Sequence, residues 1–154
     1  MSLYLAITVL TFALMECATW LIHKYVMHGW LWFLHKDHHD HSTDGPLERN
    51  DVFFVIFALP TIALLYQGSL NGYNYVFFIG LGIMLYGMAY FLVHDLFIHQ
   101  RVKLFTHTQN WYFKALRRAH KQHHKHLGKE QGECFGFLYV PMRYFRMYFK
   151  PVQK

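Results

Sequence analysis

The stretch HKDHH (His35 to His39) is echoed by HKQHH (His120 to His124), and each places three imidazoles within five residues. Each follows a wider pair, His23 and His28 in HKYVMH and His94 and His99 in HDLFIH. The pattern HxxxxH then HxxHH therefore occurs twice and takes up ten of the 13 histidines. Imidazole suits Zn, Cu, Fe and Ni, and one metal rarely holds more than about four or five such ligands, so ten converging imidazoles imply two metals. Neither a Glu-x-x-His pair nor an H-E-x-x-H is present, which separates the chain from carboxylate-bridged di-iron bundles and from zincins. His41, His107 and His126 fall outside the pattern and read as solvated or locally hydrogen-bonded side chains.

Spacing says how helices must present these groups. Residues three and four apart share a helix face, so His35, His38 and His39 are expected to form one patch, and His120, His123 and His124 another. Residues five apart do not: on an ideal helix His23 and His28 point about 140° apart. Such a pair serves two metals, sits across a local π-type widening, or straddles a helix end, and the spacing leaves all three open.

The elements carrying the histidines are greasy. Of 154 residues 54% are apolar and 19% aromatic, high for a soluble domain. Apolar windows at about 3–22 and 75–93 are long enough to read as membrane spans, and the shorter one at about 52–67, which contains Pro60, reads as a kinked span or a tilted, partly embedded helix. About 20 helical residues rise 30 Å, so both HxxxxH pairs begin where a span ends. No charged n-region or cleavage site marks a removable leader. All 15 Lys and Arg lie after the first span and outside the turn at residues 68–74. By the positive-inside rule the amino terminus and that turn face out, and residues 23–51 and 94–133 share the cytoplasmic side as a His-rich cap. The expected fold is thus an all-α integral membrane protein with about three transmembrane helices in a single domain, and residues 134–149 form an amphipathic interfacial segment. The net charge of +6 reads as a basic membrane-facing surface, compatible with docking an acidic partner.

Among the acids, Glu16 lies inside the first span two turns before His23 and on its face, where a carboxylate is expensive; a role behind a metal-bound imidazole is expected. Asp37 and Asp95 adjoin ligands and are assigned the same supporting role, whereas Asp51, after Asn50, reads as a cap for the second span. Cys17 and Cys134 fall at different depths and are expected as free thiols.

The segments HKYVMHGW, HDLFIHQR, HKQHHK and FGFLYVP resemble those of the bacterial β-carotene 3-hydroxylases within the membrane fatty-acid hydroxylase superfamily, over about residues 15–141. The ten-histidine pattern is shared with sterol and fatty-acid hydroxylases and, more loosely, with desaturases; HDLFIHQR, Asn50-Asp51 and GKEQGECFGFLYVP narrow it to carotenoids. The resemblance implies a non-haem centre of two Fe held by His23, His28, His35, His38, His39, His94, His99, His120, His123 and His124. It also implies O2 as co-substrate and conversion of β-carotene through β-cryptoxanthin to zeaxanthin in a bacterial inner membrane. Zinc can replace iron on overexpression. The partners expected are carotenoid, bilayer and a ferredoxin-like donor steered by Arg117, Arg118 and Lys121, with no nucleic acid. A fatty acyl or sterol substrate is the near rival, and a metal or haem carrier the distant one; haem would leave eight histidines unexplained.

Overall fold

The computed structural model describes residues 3–40 and 47–149; His41 lies outside the described residues. Every regular element among them is helical. Helix α1 (Leu3–Leu21) widens into a π-type segment, Ile22–Trp30, and after one turn residue α2 (Trp32–Asp40) follows. A 3-10 turn (Arg49–Asp51) opens α3 (Val52–Leu70), and α4 (Tyr75–Tyr90) widens in its turn into a π-type segment, Phe91–Ile98. Two shorter helices, α5 (Trp111–His123) and α6 (Met142–Tyr148), complete the cap. With their extensions, Leu3–Trp30, Arg49–Leu70 and Tyr75–Ile98 are three helices long and apolar enough to cross a membrane. Leu10 and Leu14 on α1 and Phe54 and Leu59 on α3 stay exposed, as lipid-facing side chains do.

The second span is longer and less disturbed than its sequence predicts. It runs 19 residues to Leu70 with Pro60 inside it. The Thr61 hydroxyl, one residue past the proline, donates back to the Phe57 carbonyl one turn earlier at 2.6 Å, which satisfies the hydroxyl within the helix. The turn between α3 and α4 shrinks to residues 71–74, and Asn74 caps α4 by accepting the Val76 N–H at 3.0 Å.

Helix α4 packs on both α1 and α3, which make no comparable contact with each other. Glycine permits this: a Cβ on Gly82 would stand 2.7 Å from the Thr8 carbonyl oxygen, and one on Gly68 2.3 Å from the Phe77 nitrogen. Gly87 is different. Nothing lies within 4 Å of its Cβ position, which faces an open gap lined by residues of α1, α3 and α4. The segment expected to lie flat on the membrane divides in two: Cys134, Phe137 and Val140 are buried without regular structure, and only Met142–Tyr148 is helical.

Candidate metal centre

The ten patterned histidines converge on two adjacent points. Nitrogens of His23, His28, His35, His39 and His123 lie within 4.8 Å of one another, as do those of His38, His94, His99 and His120. His124 completes the second group, its Nε2 2.9 Å from His120 Nε2. The wide pairs use the π-type option: the His99 N–H donates to the His94 carbonyl at 2.9 Å, an i→i+5 bond that turns both imidazoles to one side. His23 and His28 lie in the matching segment of the first span and share the first point.

The close clusters do not stay together as the spacing predicts. His35 and His39 serve the first point and His38 the second; His120 and His124 serve the second and His123 the first. Residues i and i+4 point one way, and i+3 is far enough round the helix to reach the neighbouring point. Each repeat therefore lends one imidazole to the other's group. The His39 and His124 rings stack at 4.4 Å where the groups meet.

Seven imidazoles have their Nδ1 committed to an oxygen. His23, His28, His39 and His123 donate to the carbonyls of Phe135 (3.1 Å), Lys129 (3.1 Å), His126 (3.1 Å) and Glu133 (2.8 Å). His35 donates to Asn50 Oδ1 (2.7 Å), His38 to Glu48 Oε2 (2.7 Å) and His94 to Asp95 Oδ1 (2.9 Å). A neutral imidazole that donates from Nδ1 carries a lone pair on Nε2. Those lone pairs face one another: Nε2 of His23 and His35 are 3.1 Å apart, of His35 and His39 3.2 Å, and of His28 and His123 3.2 Å. Without a cation between them they repel. Metal–nitrogen bonds of about 2.1 Å at right angles would set neighbouring nitrogens about 3.0 Å apart, so the donor set fits metals with more than four ligands. Protonation is disfavoured outside the spans: burial first, then neighbouring imidazoles, holds His38 and His120 well below the usual value, and burial dominates for His35. His123 is pushed down to about 3.

Of the acids singled out in the sequence, Asp95 supports His94 directly. Asp37 is buried beside His38 and accepts the Arg49 N–H at 2.7 Å. Glu16 touches the site at one remove. Its carboxylate accepts the N–H groups of Phe137 (2.8 Å), Leu138 (3.0 Å) and Tyr139 (2.9 Å) and the Tyr86 hydroxyl (2.7 Å), and so pins the segment whose Phe135 carbonyl orients His23. Asp51 caps backward onto the Glu48 N–H at 3.0 Å. Arg117 is not a free docking charge: its guanidinium donates to the carbonyls of Phe97 (2.6 Å), Phe105 (2.7 Å) and Thr106 (2.9 Å) and lies 3.9 Å over the Phe97 ring. Arg118 and Lys121 are exposed beside it. His107 is exposed, and His126 contributes its carbonyl, not its ring. Sequence reading passed over Glu48, Arg101 and the supporting role of Asn50. Arg101 reaches Glu48 and Asp51 at 2.9 and 2.8 Å, and the one available signal was the spacing Glu48-x-x-Asp51, a reciprocal helix-start pattern.

An apolar cavity of about 540 Å³ fills the gap between α1 and α3 over Gly87. His23 of one group and His94 of the other stand at its head, with Phe135 and Phe137 beside them; Phe57, Ile62, Leu65, Ile83 and Met84 line it farther along. From Phe54 to Leu65 the helix rises about 17 Å. The Tyr90 ring stacks on His94 at 4.5 Å, with its hydroxyl 3.4 Å from His94 Nε2.

A family described as fatty acid hydroxylase matches residues 8–143. A protein named beta-carotene hydroxylase from Pantoea ananas is 44% identical over 127 residues, spanning 82% of this chain and 71% of its own length. Another of that name from Paracoccus sp. (strain PC1) is 37% identical over 136 residues, 88% of this chain and 83% of its own. A chloroplastic beta-carotene 3-hydroxylase from an Oncidium hybrid cultivar is 42% identical over 107 residues, 66% of this chain and 34% of its own. No solved structure matches. With matches spanning nearly all of the described helices and both groups of histidines, the chain belongs to the fatty acid hydroxylase family.

Proposed function

We propose that this chain is a membrane monooxygenase that hydroxylates the β-ionone rings of β-carotene at C3, giving β-cryptoxanthin and then zeaxanthin. The observation that carries the reading is the apolar cavity with a histidine of each group at its head. A polyene is comfortable only among apolar side chains, and a cavity opening toward lipid between α1 and α3 admits it without passage through water. The proposed ligands are the ten patterned histidines, five to each iron. Bound there, two irons would supply the O2 activation that no protein side chain provides. In the overall reaction one oxygen atom enters the C–H bond and the other leaves as water, with two electrons and two protons taken up.

The residues of the chain have separable tasks. Oxygen acceptors on Nδ1 hold the imidazoles with their lone pairs inward. Phe135 and Phe137 close the cavity beside the histidines and keep bulk water from the reacting carbon. Tyr90, stacked on His94, offers a hydroxyl at the cavity head against which a ring can seat. The basic residues share the histidine side of the spans, which we take as the cytoplasmic side of a bacterial inner membrane. Exposed Arg118 and Lys121 are proposed to receive an acidic, ferredoxin-like donor.

Expression in a bacterial host that accumulates β-carotene tests the reading. Zeaxanthin and β-cryptoxanthin should appear, and His123→Ala should abolish both. Unchanged β-carotene in cells whose membranes contain the metal-loaded protein would refute it, and oxidised fatty acids or sterols in such cells would reassign the cavity.

A further inference from the structure

The two groups of histidines are backed by different chemistry. In the group of His23, His28, His35, His39 and His123, the acceptors on Nδ1 are four carbonyls and the Asn50 amide, all neutral. Glu133, whose carbonyl serves His123, turns its own carboxylate away to an ion pair with Arg143. In the other group His38 is backed by the Glu48 carboxylate and His94 by the Asp95 carboxylate. One guanidinium ties this second set together: Arg101 lies 2.9 Å from Glu48, 2.8 Å from Asp51 and 3.8 Å from Asp95. Three carboxylates against one cation leave the second group in a net anionic setting.

We infer that the two metal positions are unequal, and that the carboxylate-backed group of His38 and His94 holds its metal more tightly than the neutral-backed group of His23 and His35. The inference rests on the reading of the ten histidines as two metal sites. A carboxylate on Nδ1 raises the electron-donating power of Nε2, and its charge offsets that of the bound cation; carbonyl and amide oxygens do less of both. Loss of such a partner typically costs about 10–100-fold in metal affinity, so two carboxylates on one group are expected to separate the affinities by at least about tenfold.

The test uses the full-length protein in detergent, loaded with Zn2+ and equilibrated against rising concentrations of a chelator, with metal per chain as the readout. The unaltered protein should fall from two metals to one, hold a plateau across at least about a tenfold range of free Zn2+, and then fall to none. Glu48→Gln and Asp95→Asn should each shorten the plateau by loosening the tighter metal. Asn50→Asp, which puts a carboxylate on His35, should shorten it from the other side by tightening the weaker one. Because the last substitution predicts a gain, it remains informative if Glu48→Gln fails to fold. Two metals leaving in a single step, or a plateau unmoved by Asp95→Asn and Asn50→Asp, would overturn the inference while leaving the two-metal reading intact. A protein that never binds more than one metal would overturn both.

Discussion

Replacing Glu16 by Gln keeps the length of the side chain and one acceptor oxygen while removing the charge. The carboxylate accepts the N–H groups of Phe137, Leu138 and Tyr139 and the Tyr86 hydroxyl. Hydrogen bonds to a charged group contribute about 1.5–3 kcal/mol each, neutral ones about 0.5–1.5, so withdrawing the charge from several of them costs roughly 2–4 kcal/mol. The amide keeps one oxygen for the three N–H groups, which all meet Oε1, and sets its NH2 where Oε2 accepted the Tyr86 hydroxyl, so that hydroxyl loses its acceptor. The loosened segment carries the Phe135 and Glu133 carbonyls that orient His23 and His123, both in the same group. Glu16→Gln should therefore lower metal affinity at that group about tenfold, and spare the group of His38 and His94. Metal analysis of the purified variant under mild chelation should find close to one metal per chain where the unaltered protein keeps two, with reduced thermal stability. Tyr86→Phe removes only one bond to Glu16 and should have a smaller effect of the same kind. Full metal retention and unchanged stability in Glu16→Gln would show that this carboxylate does not hold the segment, and the chain of contacts from α1 to His23 would carry no force.

Gly87→Leu should fill the cavity where no atom lies within 4 Å, so that pigment analysis finds hydroxylation lost while metal analysis still finds two metals per chain. Arg117→Ala should free the loop it clasps at Phe97, Phe105 and Thr106, raising proteolysis there, whereas Arg118→Ala should leave proteolysis unchanged and weaken only the response of turnover to an acidic donor protein and to salt. In the metal-free protein, folding depresses His35, His38 and His120 below their usual value of 6.5. Below that pH the unfolded chain binds more protons than the folded one, so stability should fall as pH drops through about 6.5 and below, and should be insensitive to these groups above it; thermal melts across pH 5–8 would check this.

Much of the metal centre is legible in the sequence because ligands must be particular residue types. His-rich spacing named all ten imidazoles, and charge placement put them on one side of the spans. The partition between two points was not legible: treating HxxHH as one patch ignores that i and i+4 diverge from i+3 once two targets lie side by side. Nor were the carbonyl acceptors, since residues such as Lys129 and Phe135 offer the same backbone oxygen whatever their side chains. Glu16 was recognisable as anomalous from its depth, but its partners are three N–H groups more than 120 residues away, which no local pattern encodes. The carbonyl contacts of Arg117 were not legible either, because a charged type on a short basic helix reads as surface and what sets them is the fold of the loop after His99. Pro60 suggested a shorter span, whereas the helix runs through it to Leu70.

The exchange of one imidazole between the repeats has a consequence for the order in which the chain is made. His23, His28, His35 and His39 emerge from the ribosome long before His123, and the Nδ1 acceptors of His39, His28 and His23, the carbonyls of His126, Lys129 and Phe135, emerge later still. Through that interval His35 already has Asn50, but His23, His28 and His39 lack the carbonyls that orient them, so the four form no site that is both closed and oriented. The earlier half of the protein therefore holds only part of the first group, which completes itself only once residue 135 has been synthesised and docked. Maturation and assembly then become one event, timed by the last ligand and not by the first.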